Sequence, residues 1–118
     1  MNPPSWVKNE ASWNKQCRRL IARANELIEG RIGVLEAARK ITLYRFRLRA
    51  EKDTDFITFV AIDSETDHLP IGIVRQHWVG EALEKKDLEI EKTETHFRDR
   101  ALKAARNLIE KYKINPSS

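Results

Sequence analysis

Residues 34–50 read VLEAARKITLYRFRLRA, and the fold turns on whether this stretch is one helix or the first half of a hairpin. At 100° per residue, Val34, Ala37, Ala38, Ile41, Tyr44 and Leu48 fall on one stripe, with Arg45 in its middle. A rival signal begins at Tyr44. Tyr44-Arg45-Phe46-Arg47-Leu48-Arg49 alternates apolar with basic, Glu51-Lys52-Asp53-Thr54 suits a turn, and residues 56–62 could return as a second strand. That alternative is an α+β fold with a hairpin at residues 43–62. The alternation starts only after a good helical stripe, no third strand follows, and a lone two-stranded hairpin is marginal in water. The helix is the stronger reading, which makes the chain all-α.

The flanking sequence extends the same pattern. Trp13, Cys17, Leu20, Ile21, Ala24, Leu27 and Ile28 share one face, predicting a first helix from about Ser12 to Glu29 with Ser12 as its cap and Gly30 just past its end. Phe56, Phe59 and Val60 give a short helix after the caps offered by Asp53, Thr54 and Asp55. Pro70 suits the first turn of another, over residues 70–78. The longest stripe is Leu83, Ile90, Phe97, Ala101, Ala104, Ala105, Leu108 and Tyr112, predicting one helix over residues 81–113. The expected architecture is an antiparallel helical bundle with short middle helices and a long carboxy-terminal helix. It forms a single domain over residues 1–118, with an ordered core of about residues 12–113.

Four glycines and four prolines in 118 residues are too few for a sandwich of many short strands. A single cysteine, Cys17, allows no internal disulfide and fits a reducing compartment. Met1-Asn2-Pro3-Pro4-Ser5 lacks a basic segment leading into an apolar run, and no stretch approaches a membrane span. A cytoplasmic protein is therefore expected. The net charge of +4 is uneven: residues 1–52 carry +7 and residues 53–118 carry −3. Arg18, Arg19, Arg23, Arg39, Arg47 and Arg49 could form a basic surface for an acidic partner or nucleic acid. No nucleic-acid motif supports that, and solvated helix faces with internal pairs explain the charges more simply.

Three charges interrupt the apolar stripes. Asp87 and Glu94 stand between Leu83, Ile90 and Phe97, and Arg45 interrupts the stripe of the second helix. Charges facing a core are costly unless paired, so the expectation is a buried ionic network of Arg45 with Asp87 or Glu94. The alternative uses Asp87, Glu91 and Glu94, at i, i+4 and i+7, as an oxygen-rich site for Mg²⁺ or Mn²⁺ in a nucleotide hydrolase. No second paired-carboxylate motif stands on another helix to complete it. Cys17 lies on an apolar stripe, where a thiol is inert, and no glycine-rich phosphate loop exists. No catalytic residue, cofactor or metal is assigned.

The most distinctive local sequence is Asp63-Ser64-Glu65-Thr66-Asp67-His68-Leu69-Pro70, followed by Arg75, His77 and Trp78. Its structural reading is a capped turn, with Asp67 capping the next helix and His68 paired with an acid. Its functional reading is a partner-recognition surface made by Glu65, Asp67, His68, Arg75 and Trp78. This turn, with Gly33-Val34-Leu35-Glu36-Ala37-Ala38-Arg39, resembles a family of small helical bacterial proteins to which no activity is attached. The likeness would span Trp13 to Tyr112. By analogy of size and class it implies an immunity protein, which neutralises a toxin by direct binding. The expected function is therefore cytoplasmic protein binding without catalysis. The alternatives are the metal-dependent hydrolase and a basic nucleic-acid-associated protein.

Overall fold

The computed structural model describes residues 3–113 and is helical, with no strand among them. Helix α1 is Glu10–Ile28, α2 is Val34–Arg47, α3 is Thr54–Glu65 and α4 is Gly80–Tyr112, with a 3-10 helix, Gly72–His77, between the last two. The stretch that decides the fold is thus one helix, and residues 56–62 lie within the next.

Local chemistry sets the boundaries. Asn9, rather than Ser12, caps α1: its side chain accepts from the Ser12 N–H at 2.9 Å. Gly30 ends that helix at φ +76°, a backbone conformation that costs glycine little. Asp53 caps α3, accepting from the Asp55 N–H at 2.9 Å. Asp67 caps nothing; the 3-10 helix starts after Ile71 with no side-chain cap.

The helices alternate in direction. Trp13 lies against Tyr112, so α1 runs opposite to α4. The first residue of α2 meets Glu94, and Leu48, just past its end, lines a cleft with Tyr112, so α2 runs the same way as α4. Asp55, in the first turn of α3, meets Lys111, so α3 again runs opposite. The core between them is filled by Leu20, Leu35, Ile41, Phe56, Phe59, Ile62 and Leu108, all at most 1% exposed. Ala24, Ala37, Ala38, Ala101, Ala104 and Ala105 are buried where backbones come close.

The lengths do not match. At 1.5 Å per residue α4 is about 50 Å long, while α2 is about 21 Å and α3 about 18 Å. The buried residues of α4 run only from Phe97 to Tyr112, and none of residues 80–96 is buried. The first half of α4 therefore leaves the body as an arm, and the molecule measures 54 × 25 × 24 Å.

This mismatch overturns the expected buried network of Arg45 with Asp87 or Glu94. Arg45 lies about 16 Å along α2 from the level of Glu94, at the end far from the arm. Its guanidinium donates to the Glu51 carbonyl at 3.1 Å and covers the Phe46 ring at 5.1 Å. Glu94 accepts from the Val34 N–H at 3.1 Å, capping α2 across 60 residues of chain. Gly33 makes room for it, since a Cβ there would stand 2.5 and 2.7 Å from the two carboxylate oxygens. Asp87 lies on the arm and pairs with Arg75.

The ionic network the body does contain is elsewhere. Asp55, 9% exposed, accepts from Lys111 Nζ at 2.6 Å and from Asn107 Nδ2 at 3.1 Å. Asp53 accepts from the same ammonium at 3.0 Å.

Candidate functional site

The polar turn after α3 is held by an arginine from α2. Arg39 donates to the carbonyls of Thr66 at 2.7 Å and Leu69 at 2.9 Å, and its Nε lies 3.6 Å from Asp63. These carbonyls lie past the end of α3, where no helical N–H can reach them, and that of Thr66 also accepts from the Leu69 N–H at 3.0 Å. Thr66 is buried and its hydroxyl donates back to the Ile62 carbonyl at 2.6 Å. Leu69 and Pro70 pack inward, leaving Glu65, Asp67 and His68 exposed around them.

The exposed side of the turn is then clasped to the arm. His68 Nε2 lies 3.0 Å from Glu89 Oε1. Lys86 reaches Glu89 at 3.4 Å and also stands over the Trp78 ring at 5.9 Å. Arg75 makes a two-pronged pair with Asp87, at 2.6 and 3.0 Å, and donates to the Pro70 carbonyl at 3.2 Å. A planar guanidinium matched to a carboxylate fixes orientation as well as distance. The hydrogen bonds from Arg75 hold Asp87 below the usual carboxylate range, and that from His68, helped by Lys86, does the same for Glu89. Both acids stay ionised to lower pH than free carboxylates, so the clasp is complete above the ordinary carboxylate pKa. It weakens as pH falls through the lowered values.

Three of the five residues singled out in the sequence, His68, Arg75 and Trp78, take part in these contacts. Glu65 and His68 line a cleft of about 290 Å³ with Thr66, Glu89, Thr93 and His96. Arg75 and Trp78 sit along the arm on Asp87 and Lys86. Asp67 is exposed on the turn outside the cleft lining. Around them Val74, Trp78 and Val79 are 46%, 37% and 73% exposed, an apolar margin beside an acidic surface.

Charge divides sharply along the molecule. Residues 63–96, the turn and the arm, hold nine acids and four bases, a net of −5. The rest of the chain, mainly the body, holds the remaining 18 bases and nine acids, a net of +9. Of the six arginines read as a basic surface, Arg18 and Arg19 are exposed on α1 and the other four are engaged within the chain. Arg39 is turned onto the turn carbonyls, Arg23 pairs with Glu26, and Arg47 and Arg49 lie over the rings of Tyr44 and Trp6.

The carboxylates read as a metal site do not converge. Asp87 is drawn to Arg75, Glu94 to the start of α2, and Glu91 is exposed on another flank of the arm. Among the described residues no group of three or more acid, histidine or cysteine side chains has metal-holding geometry. Cys17 is 1% exposed and burial pushes its thiol up to about 11, which keeps it protonated and unreactive at neutral pH.

Sequence reasoning assigned Arg39 to a basic surface and missed its hold on the turn. The signal was Leu35, fully buried but off the main stripe, four residues before Arg39 on the flank of α2 that meets α3. Arg39→Ala is expected to destabilise by about 2 kcal/mol, because two charge-assisted hydrogen bonds are lost and the Thr66 carbonyl is left with only the Leu69 N–H. Limited proteolysis should then cut within residues 66–78. A variant that melts like the wild type and resists cleavage there would show that the turn holds itself.

The chain matches no protein-family model, no curated protein and no solved structure.

Proposed function

We propose that this is a bacterial cytoplasmic binding protein without catalysis, of the immunity-protein kind, which covers a basic surface on a toxin domain. The observation that carries this reading is the segregation of charge toward one end of the molecule: −5 over residues 63–96 against +9 elsewhere. An overall charge of +4 would argue against a basic partner if it were spread evenly. Gathered as it is, the acidic end can steer a basic protein and orient it.

The face also has the make-up of a binding surface. Arg39, Arg75 and Lys86 immobilise the turn and its aromatic margin before any partner arrives, so little ordering entropy is lost on binding. Trp78 supplies a large amphipathic contact, with Val74 and Val79 beside it and Glu65, Asp67 and Glu89 as a charged rim.

The test is protection. Co-expression with the carboxy-terminal domain of a secreted toxin encoded beside the gene should restore growth, and calorimetry of the purified pair should show affinity falling with salt. Trp78→Ala should weaken binding by about thirtyfold, a loss near 2 kcal/mol. Glu65→Lys should weaken it further. Absence of protection, or binding untouched by both substitutions, would refute the proposal.

A further inference from the structure

The arm has a second flank, turned away from the polar turn, that the contacts above do not use. Glu84, Leu88 and Glu91 stand on it at i, i+4 and i+7, all exposed, with Leu88 61% exposed. Lys85 and Lys92 lie to one side of this stripe, toward the turn. Helix α2 shows a matching stripe of opposite charge. Lys40, Leu43 and Arg47 follow at i, i+3 and i+7, with Leu43 56% exposed and Phe46 beside it 61% exposed. Among the described residues, Lys40 pairs with Glu36 at i, i+4 and 3.7 Å, and Arg47 lies over the Tyr44 ring at 5.4 Å. Each stripe is a large apolar residue between two charges, acidic on one and basic on the other.

Their placement makes them complementary in space as well. Val34 meets Glu94, and α2 runs the same way as α4. From that shared level the arm extends one way for about 21 Å and α2 extends the other way for about 20 Å. A two-fold axis perpendicular to α4, within about 2 Å of that level, would lay the arm of one copy along α2 of another. The two helices then run antiparallel. With Leu88 set against Leu43, the spacings bring Glu91 opposite Lys40 and Glu84 opposite Arg47, because four-then-three residues along the arm mirrors four-then-three back along α2.

We infer that the protein pairs with a second copy of itself, each arm lying antiparallel on the other's α2 through a seam of Leu88 with Leu43, Glu91 with Lys40 and Glu84 with Arg47. The seam repeats twice in the dimer and closes it, so no filament grows. It covers Leu88, Leu43 and Phe46, three of the largest exposed apolar side chains. It leaves the Trp78 face open, so self-pairing stands or falls independently of the toxin-binding proposal.

Sedimentation equilibrium of the full chain tests this. A dimer with a dissociation constant on the order of micromolar is expected at low salt, weakening as salt screens the charge pairs. Leu88→Glu should weaken it by about a hundredfold while circular dichroism keeps the helical signal, since the side chain is exposed. Glu84→Arg alone should weaken it, and Glu84→Arg with Arg47→Glu should restore it. A chain that stays monomeric, a dimer indifferent to Leu88→Glu, or a reversal that the second reversal does not rescue would each overturn the seam.

Discussion

Asp55→Ala is expected to cost about 3 kcal/mol, the largest loss from any single polar side chain in the molecule. Asp55 is nearly buried in the first turn of α3 and accepts from Lys111 and Asn107 of α4. Burial alone would lower the Lys111 ammonium, but its hydrogen bonds to Asp55 and Asp53 outweigh that and hold it above its ordinary value. Removing Asp55 strips Asn107 of its acceptor and Lys111 of its shorter bond. The figure sits at the low end for a broken buried pair, because Lys111 is 42% exposed and keeps Asp53. In a chain of this length the melting temperature should fall by about 10 °C. Asp55→Asn, which keeps an acceptor for Asn107, should lose about half as much. Arg45→Ala, which removes a peripheral hydrogen bond to the Glu51 carbonyl, should cost about 1 kcal/mol. Equal melting for the Asp55→Ala and Arg45→Ala proteins would reverse the assignment of the body's ionic network.

Alkaline unfolding should be equally pronounced. Burial pushes the Cys17 thiol from 9.0 to about 11. Burial, with the charge of Asp53, pushes the Tyr112 phenol from 10.0 to about 12. Both folded values lie above the unfolded ones, so the folded protein keeps protons that the unfolded chain has already released. Stability is then fully present below pH 9 and declines between pH 9 and 12, by roughly 2–3 kcal/mol for each group across its window. Lys111, also raised, adds to the loss in the same direction. Denaturant titrations at a series of alkaline pH values should show the decline. Cys17→Ala should flatten its lower part and Tyr112→Phe its upper part. A midpoint constant from pH 8 to 12 would mean that neither group is withheld from solvent.

The helical stripe of α2 was legible because Val34, Ala38, Ile41, Tyr44 and Leu48 repeat at the helical period and are all buried. The alternation that imitates a strand, residues 44–49, falls at the helix end, where Phe46 is left exposed. A stripe shows which side of a helix faces inward, but not how far the neighbouring helices reach. Asp87 and Glu94 share the stripe of Phe97 and Leu108, yet beyond Phe97 the body covers the stripe only in part, at Ile90, so these acids meet Arg75 and the first residue of α2 instead. Arg45 was misplaced for the same reason. The pairing of Asp55 with Lys111 joins residues 56 apart, and neither interrupts a stripe, so no local pattern announces it. Of the turn, the sequence revealed the residues and an acid for His68. That Glu89 and Asp87 would be the partners depends on α4 doubling back beside the turn, which only the packed fold decides.

The two halves of α4 belong to one continuous helix, yet their amides should report different events. Those near Ala101, Ala104 and Leu108 can exchange with deuterium only when the whole body opens. Those of residues 81–92 need only a local fraying, resisted by a few ion pairs and by helix propensity. A protection profile along α4 should therefore step near Glu94, where the side chain that caps α2 marks the edge of the cooperative unit. Exchange at the arm would then serve as a clock for whatever binds it. A bound partner would slow the amides of residues 81–92 while leaving those at 101–108 to measure the stability of the body alone.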